Sequence, residues 1–160
     1  MRRSLLLIVL STAFVWAFGQ ETEFSDEDIG KYAAVMVWAE AEKKNMTEVY
    51  NGWINNDEVL EASRFIKIRN AKGDSVKLGE LEVTAEELTA FETIQVAYDS
   101  MIASFTEVYK GKIKDEIGAG LYNSLKKEMK SNAEVKERYQ AVLEQKRNEL
   151  ATKQEDESEE

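Results

Sequence analysis

The sequence predicts an all-α protein: a duplicated helical hairpin, with an internal repeat of about 59 residues, forming a four- to five-helix bundle with two long helices. Three observations carry this. The 160 residues include no proline and only eight glycines, so little interrupts helical hydrogen bonding. The composition, rich in Glu, Lys, Ala and Leu, is that of long amphipathic helices. Finally, Thr47-Glu48-Val49-Tyr50-Asn51-Gly52 returns as Thr106-Glu107-Val108-Tyr109-Lys110-Gly111. The same offset pairs Tyr32 with Phe91, Val35 with Ile94, Met46 with Phe105 and Ile54 with Ile113. With a two-residue adjustment, the segment 62–68 lies over 119–125. Residues 24–55 and 83–114 share eight identities. Convergence of two amphipathic helices is a weaker account, because the same offset also aligns both helix starts.

Taken in order, Arg2 and Arg3 precede an apolar run from Leu5 to Ala17, and Ala17-Phe18-Gly19 has small residues where signal peptidase requires them. Residues 1–19 therefore read as a secretory signal cut before Gln20, too short for a bilayer core that needs about twenty apolar residues. Residues 20–153 read as a single helical domain with repeat halves at about 24–77 and 83–136. Each half opens on a capping box. Ser25 has Asp28 three positions on, with Phe24 and Ile29 as a hydrophobic staple; Thr84 with Glu87, flanked by Val83 and Leu88, repeats the device.

From these caps run two helices of roughly 30 residues, about 45 Å long. One carries Ile29, Tyr32, Met36, Ala39, Met46, Tyr50 and Trp53, interrupted by Lys43; the other carries Leu88, Phe91, Tyr98, Ile102, Phe105 and Tyr109, interrupted by Gln95. Shorter helices follow, at about Asp57 to Ala71 and, after the Gly118-Ala119-Gly120 break, at about Ala119 to Lys130. A terminal helix spans about 132–153, and 154–160 reads as a disordered acidic tail. Trp38 aligns with Ala97, and Ala39 with Tyr98. An antiparallel crossing that brings these together would conserve core volume.

What is missing limits the chemistry. With no histidine and no cysteine, the chain has no Ser-His-Asp or Cys-His pair, no imidazole or thiolate zinc site, and no Glu-x-x-His di-iron set. The expected catalytic, metal-binding and cofactor-binding residues are therefore none. Against 21 basic groups stand 31 acidic ones, a net charge of −10 that becomes −12 once Arg2 and Arg3 are lost. That balance disfavours nucleic acid and anionic membranes as partners.

Several strings resemble a family. Residues 24–33, Tyr122-Asn123-Ser124-Leu125-Lys126-Lys127 and the segment 132–139 are similar to small exported bacterial all-helical proteins grouped as a domain of unknown function. Phe65-Ile66 departs from the Tyr-Asn expected in the first half. The resemblance implies an all-α fold and export, and it brings no activity with it.

Acids at Asp26-Glu27-Asp28, Asp57-Glu58 and Glu86-Glu87 sit at predicted helix starts, where negative charge offsets the helix dipole. The lysines between Lys110 and Lys130, and Arg64, Lys67, Arg69 and Lys72, read as solvated faces and ion pairs. Asn45-Met46-Thr47 matches a glycosylation sequon but falls inside a helix. Tyr50, Tyr109 and Tyr122 read as core. Trp53, whose repeat counterpart is Lys112, is the candidate binding residue. The expectation is an exported periplasmic or extracellular binding or scaffolding protein, chaperone-like in one version, that engages an envelope or secreted protein without catalysis. The alternative is a carboxylate-based hydrolase acting on an envelope polysaccharide. Self-assembly through the heptad seam, giving a homo-oligomer, is a third reading.

Overall fold

The computed structural model describes residues 24–158, with side chains as far as Lys153. The predicted secretory signal lies outside the described residues. Six α-helices follow one another: α1 Asp26–Asn55, α2 Ala62–Ala71, α3 Ser75–Glu80, α4 Ala85–Lys112, α5 Ala119–Ser131 and α6 Ala133–Ser158. A π-helical turn, Ile113–Ile117, joins α4 to α5. The all-α expectation holds, while the element list differs from it in three places.

First, α2 begins at Ala62 rather than near Asp57. The Asp57 carboxylate accepts the amides of Val59 and Leu60 at 3.0 and 2.8 Å, which fixes a turn in place of a first helical turn. Second, α3 has no counterpart among the expected helices. The Asp74 side chain accepts from the amides of Val76 and Lys77, and this cap starts the short helix. Third, the described residues hold three long helices rather than two, because α6 runs from Ala133 to Ser158, past the point near Lys153 where the apolar pattern fades. No glycine or proline lies between Lys153 and Ser158 to stop it.

Both capping boxes are present, at Ser25 with Asp28 and at Thr84 with Glu87. From these starts α1 and α4 run antiparallel. The Tyr109 hydroxyl donates to the Met36 sulfur at 3.7 Å, Trp38 stacks on Phe105 at 5.8 Å, and Tyr50 meets Tyr98 at 4.2 Å, so partners descend α4 as they ascend α1. Trp38 therefore does not meet Ala97 and Tyr98. It sits opposite a point eight residues further along α4, about 12 Å away along the axis.

The antiparallel arrangement divides the interior between the two ends. One core joins the start of α1 to the π-helical turn, α5 and α6, through Phe24, Ile29, Tyr32, Val35, Ile117, Leu125 and Val135. The other joins the end of α1 to α2 and the start of α4, through Ile54, Leu60, Phe65, Ile68, Phe91 and Ile94. Tyr32 stacks on Tyr122 at 5.4 Å in the first; Phe91 packs on Phe65 at 5.0 Å in the second. Tyr109 meets Met36 in the first; Gln95 donates to the Tyr50 hydroxyl at 3.0 Å in the second.

Along α1 lies α6, in parallel, with Leu143 buried against Ala33 and Val37. Arg147 grips Glu40 through two nitrogens at 2.8–3.0 Å. Near the start of α6, Arg138 donates to the Phe24 carbonyl at 2.9 Å and the Asp26 carboxylate at 2.6 Å. At the other end Arg64 donates to both Glu87 carboxylate oxygens, at 2.7 and 2.9 Å, and to the Leu81 carbonyl at 2.7 Å. An arginine from another helix thus clasps the N-terminus of each antiparallel helix, adding charge-assisted bonds to groups the cap leaves open.

The π-helical turn closes on Gly118, whose amide donates to the Ile113 carbonyl at 2.8 Å with φ at +85°. Gly118→Ala is expected to cost about 1–3 kcal/mol through the positive-φ backbone alone (φ +85°, ψ +133°), since a Cβ there meets nothing within 4 Å. Phe65→Ala, at a fully buried ring, is expected to cost about 3–5 kcal/mol. Urea unfolding of both variants followed by circular dichroism checks the contrast.

Candidate functional site

Trp53 lies on the last turns of α1 with 36% of its surface exposed. Together with Val49 and Gly52 it lines a groove of about 550 Å³ against Thr93, Ile94 and Ala97 of α4. The sequence alignment sets Trp53 over Lys112 and Ala97 over Trp38, and the geometry explains both exchanges. At one end of the molecule Trp38 is the large group, and the Lys112 ammonium lies 5.0 Å from its ring centroid. At the other end α4 offers only Ala97, and Trp53 stands beside it from α1. Both indoles stand on α1, Trp38 beside Lys112 and Trp53 beside Ala97, so each end keeps one indole between α1 and α4 although the aligned positions exchange large for small.

Shallower grooves continue this surface along the outer face of α4, past Ala85, Thr89, Thr93 and Val96 and beside Val59 of the α1–α2 connection. Val96 is 65% exposed. The border is acidic: Asp57, Glu86 and Glu92 line these grooves, Asp99 follows Val96 by three residues on the same helix, and no lysine or arginine occurs in α4 before Lys110. Among the described residues Glu86, Glu92 and Asp99 make no ion pair. A second groove of about 560 Å³ lies between α1 and α6, lined by Val37, Leu150 and the Glu40–Arg147 pair, where the charges already satisfy one another.

The other candidate residues have structural roles. Asp26 pairs with Arg138, Asp28 and Glu87 close capping boxes, and Asp57 caps a turn. Lys110 and Lys112 pair with Glu107 and Glu116, while Lys72 and Lys126 lie over the rings of Phe91 and Tyr122. Among the described residues no three acidic groups gather to hold a metal ion. Of the phenols, Tyr109 and Tyr122 share a hydrogen bond at 3.3 Å inside the first core, and Tyr50 caps the second. Asn45 is exposed in the middle of α1. Among the described residues no helix is long and apolar enough to cross a membrane.

Carboxylates with perturbed acidity shift downward. The Arg64 guanidinium and the Thr84 amide hold Glu87 at about 2, and the Lys77 amide and ammonium lower Asp74. Lys146 and Gln145 lower Glu149. A general acid needs the opposite shift. Burial pushes Tyr32 up to about 12, helped by the neighbouring Tyr122 and Tyr139.

The chain matches no family model, and no curated protein or solved structure is significantly similar to it.

These shifts give the stability a definite pH dependence. The Glu87 contribution is fully present above its usual value near 4.5 and is lost as pH falls toward 2. Glu87→Gln should therefore flatten the acid limb of stability over that window. Tyr32 keeps its proton in the fold after the unfolded chain has released it, so stability falls from pH 10 to about 12. Tyr32→Phe should raise the pH of alkaline unfolding, measured by circular dichroism. A part-exposed indole should matter less than a core ring: Trp53→Ala is expected to cost about 1–1.5 kcal/mol in denaturant titration, and a loss of about 3 kcal/mol or more would mark Trp53 as core.

Proposed function

We propose that this protein is an exported cell-envelope binding or scaffolding module that recognises a partner protein through a helix face, without catalysis of its own. The observation that carries the reading is the contiguous apolar surface of Val49, Trp53, Val59 and Val96, which line adjoining grooves, whereas the other exposed apolar side chains, Ile66, Val76, Leu88, Ile102 and Val108, line none of them. An exposed tryptophan at the centre of such a surface is the usual anchor of a protein contact. The downward shifts at Glu87, Asp74 and Glu149 support binding over the hydrolase alternative, which needs a carboxyl group held neutral. Export rests on the segment from Arg2 to Gly19.

The chain is read as a duplicated helical hairpin with a terminal helix added. Equivalent positions support this: the contact of Tyr32 with Tyr122 matches that of Phe91 with Phe65, and Met36 with Tyr109 matches Gln95 with Tyr50. Leu60 and Ile117, Ile68 and Leu125, and Ile54 and Ile113 likewise take corresponding places in the two cores.

The test is a photo-crosslinking amino acid placed at Trp53 in cells that make the protein, with Val76 on α3 as the comparison site. A discrete adduct to another protein from position 53, and none from 76, is the expected result. Equal labelling from both positions, or none from either, would end the helix-face reading.

A further inference from the structure

The two ends of the molecule differ in one respect that the duplicated pattern makes visible. On α1 the face formed by Ala33, Val37 and Glu40 is covered by α6: Val37 is only 6% exposed and Glu40 is held by Arg147. At the repeat offset these positions become Glu92, Val96 and Asp99 of α4. Val96 is 65% exposed and Asp99 has no ion pair among the described residues. The valine and the acid are kept while the helix that covers them is missing.

What stands in its place is α3. Asp74 caps α3 as Asn132 caps the start of α6, through amides two and three residues on. Leu78 packs on the second core as Val135 packs in the first. After Glu80 the chain turns away, through Glu82 at φ +49°, to begin α4. So α3 corresponds to the first turns of α6, and beyond them α4 is bare. Beside the bare face lies the Trp53 groove; its counterpart on α1, around Trp38 and Ala41, is flanked by Lys146, Leu150 and Lys153 of α6.

We propose that the outer face of α4 docks a cationic amphipathic helix of a partner protein, running parallel to α4 in the place that α6 takes on α1. Its apolar stripe would cover Val96 and the Trp53 groove, and a basic residue would meet Asp99 as Arg147 meets Glu40. Charge selects the partner: Asp57, Glu86, Glu92 and Asp99 border the face, and no basic residue precedes Lys110 on α4. A second copy of this chain is a poorer occupant, since its own α6 is engaged on α1 and each copy carries a net charge of −10. This inference rests on the helix-face reading above and names the partner's chemistry.

The probe is a synthetic Leu/Lys peptide of about 18 residues with leucines at helical spacing, titrated into the full chain labelled with ¹⁵N. A scrambled peptide of the same composition and an acidic Leu/Glu version serve as controls. The expected result is saturable shifts centred on Thr93, Val96, Asp99 and the Trp53 indole, absent with both controls. Affinity should fall about tenfold or more in Val96→Lys, and Val76→Lys should leave it unchanged. Circular dichroism confirms that both variants are folded. Shifts confined to another helix face would overturn the α4 assignment while leaving helix-face recognition standing. Equal binding of the scrambled peptide would reduce the effect to net charge and overturn it too. Shifts of the same α4 residues on raising protein concentration, with no response to peptide, would assign the face to a second copy instead. The crosslinking result at Trp53 separates failure of this proposal from failure of the broader one.

Discussion

The antiparallel contact between α1 and α4 sets the terms for everything else in this fold. Because partners descend one helix as they ascend the other, the start of each long helix faces the end of its neighbour. The elements that follow each long helix therefore close over the start of the opposite one, α5 over α1 and α2 over α4. Between the two cores the Lys43 ammonium lies 5.7 Å from the Phe105 ring centroid, and Ile102 is exposed. The interruptions at Lys43 and Gln95 are consequences of this geometry. Lys43 falls where the long helices meet away from either core, and Gln95 is buried enough to need the hydroxyl that Tyr50 supplies.

Much of the local structure was legible in the sequence. A serine or threonine followed three residues later by an acid, with apolar flanks, is a complete instruction for a helix start, and both sites follow it. The Gly118 break was legible for a similarly local reason: its positive φ suits a residue without a side chain. Asp74 was equally readable as a cap, but the six residues it starts are too few to display a helical period. Asp57 misled because the same carboxylate that begins a helix also closes a turn, and nothing nearby in sequence separates the two outcomes.

The arrangement of helices was less legible, and Trp38 and Ala97 illustrate why. Alignment at a fixed offset identifies positions that play the same part, whereas contact requires positions that face each other. In an antiparallel pair the two coincide only near the crossing point, here about Lys43 and Ile102. Away from it, compensation for a lost indole came from Lys112 and Trp53, residues that the alignment had paired with one another for a different reason. Trp53 is legible as the candidate residue because its counterpart, Lys112, is a residue that tolerates solvent. The bare face of α4 is not legible in that way, because it depends on knowing what α6 covers.

The two cores also differ in how much chain each must gather. The core around Phe65 and Phe91 closes with residues 54–94, a nearly continuous stretch, whereas the core around Tyr32 and Leu125 holds Phe24 against Val135 across more than a hundred residues. Closing the longer loop costs more chain entropy, so the Phe24–Val135 end is the costlier of the two to assemble. Without α6, Val37 would stand as bare as Val96 does. The asymmetry between the two ends therefore resides in α6: it is the one helix whose cover has no equivalent on α4.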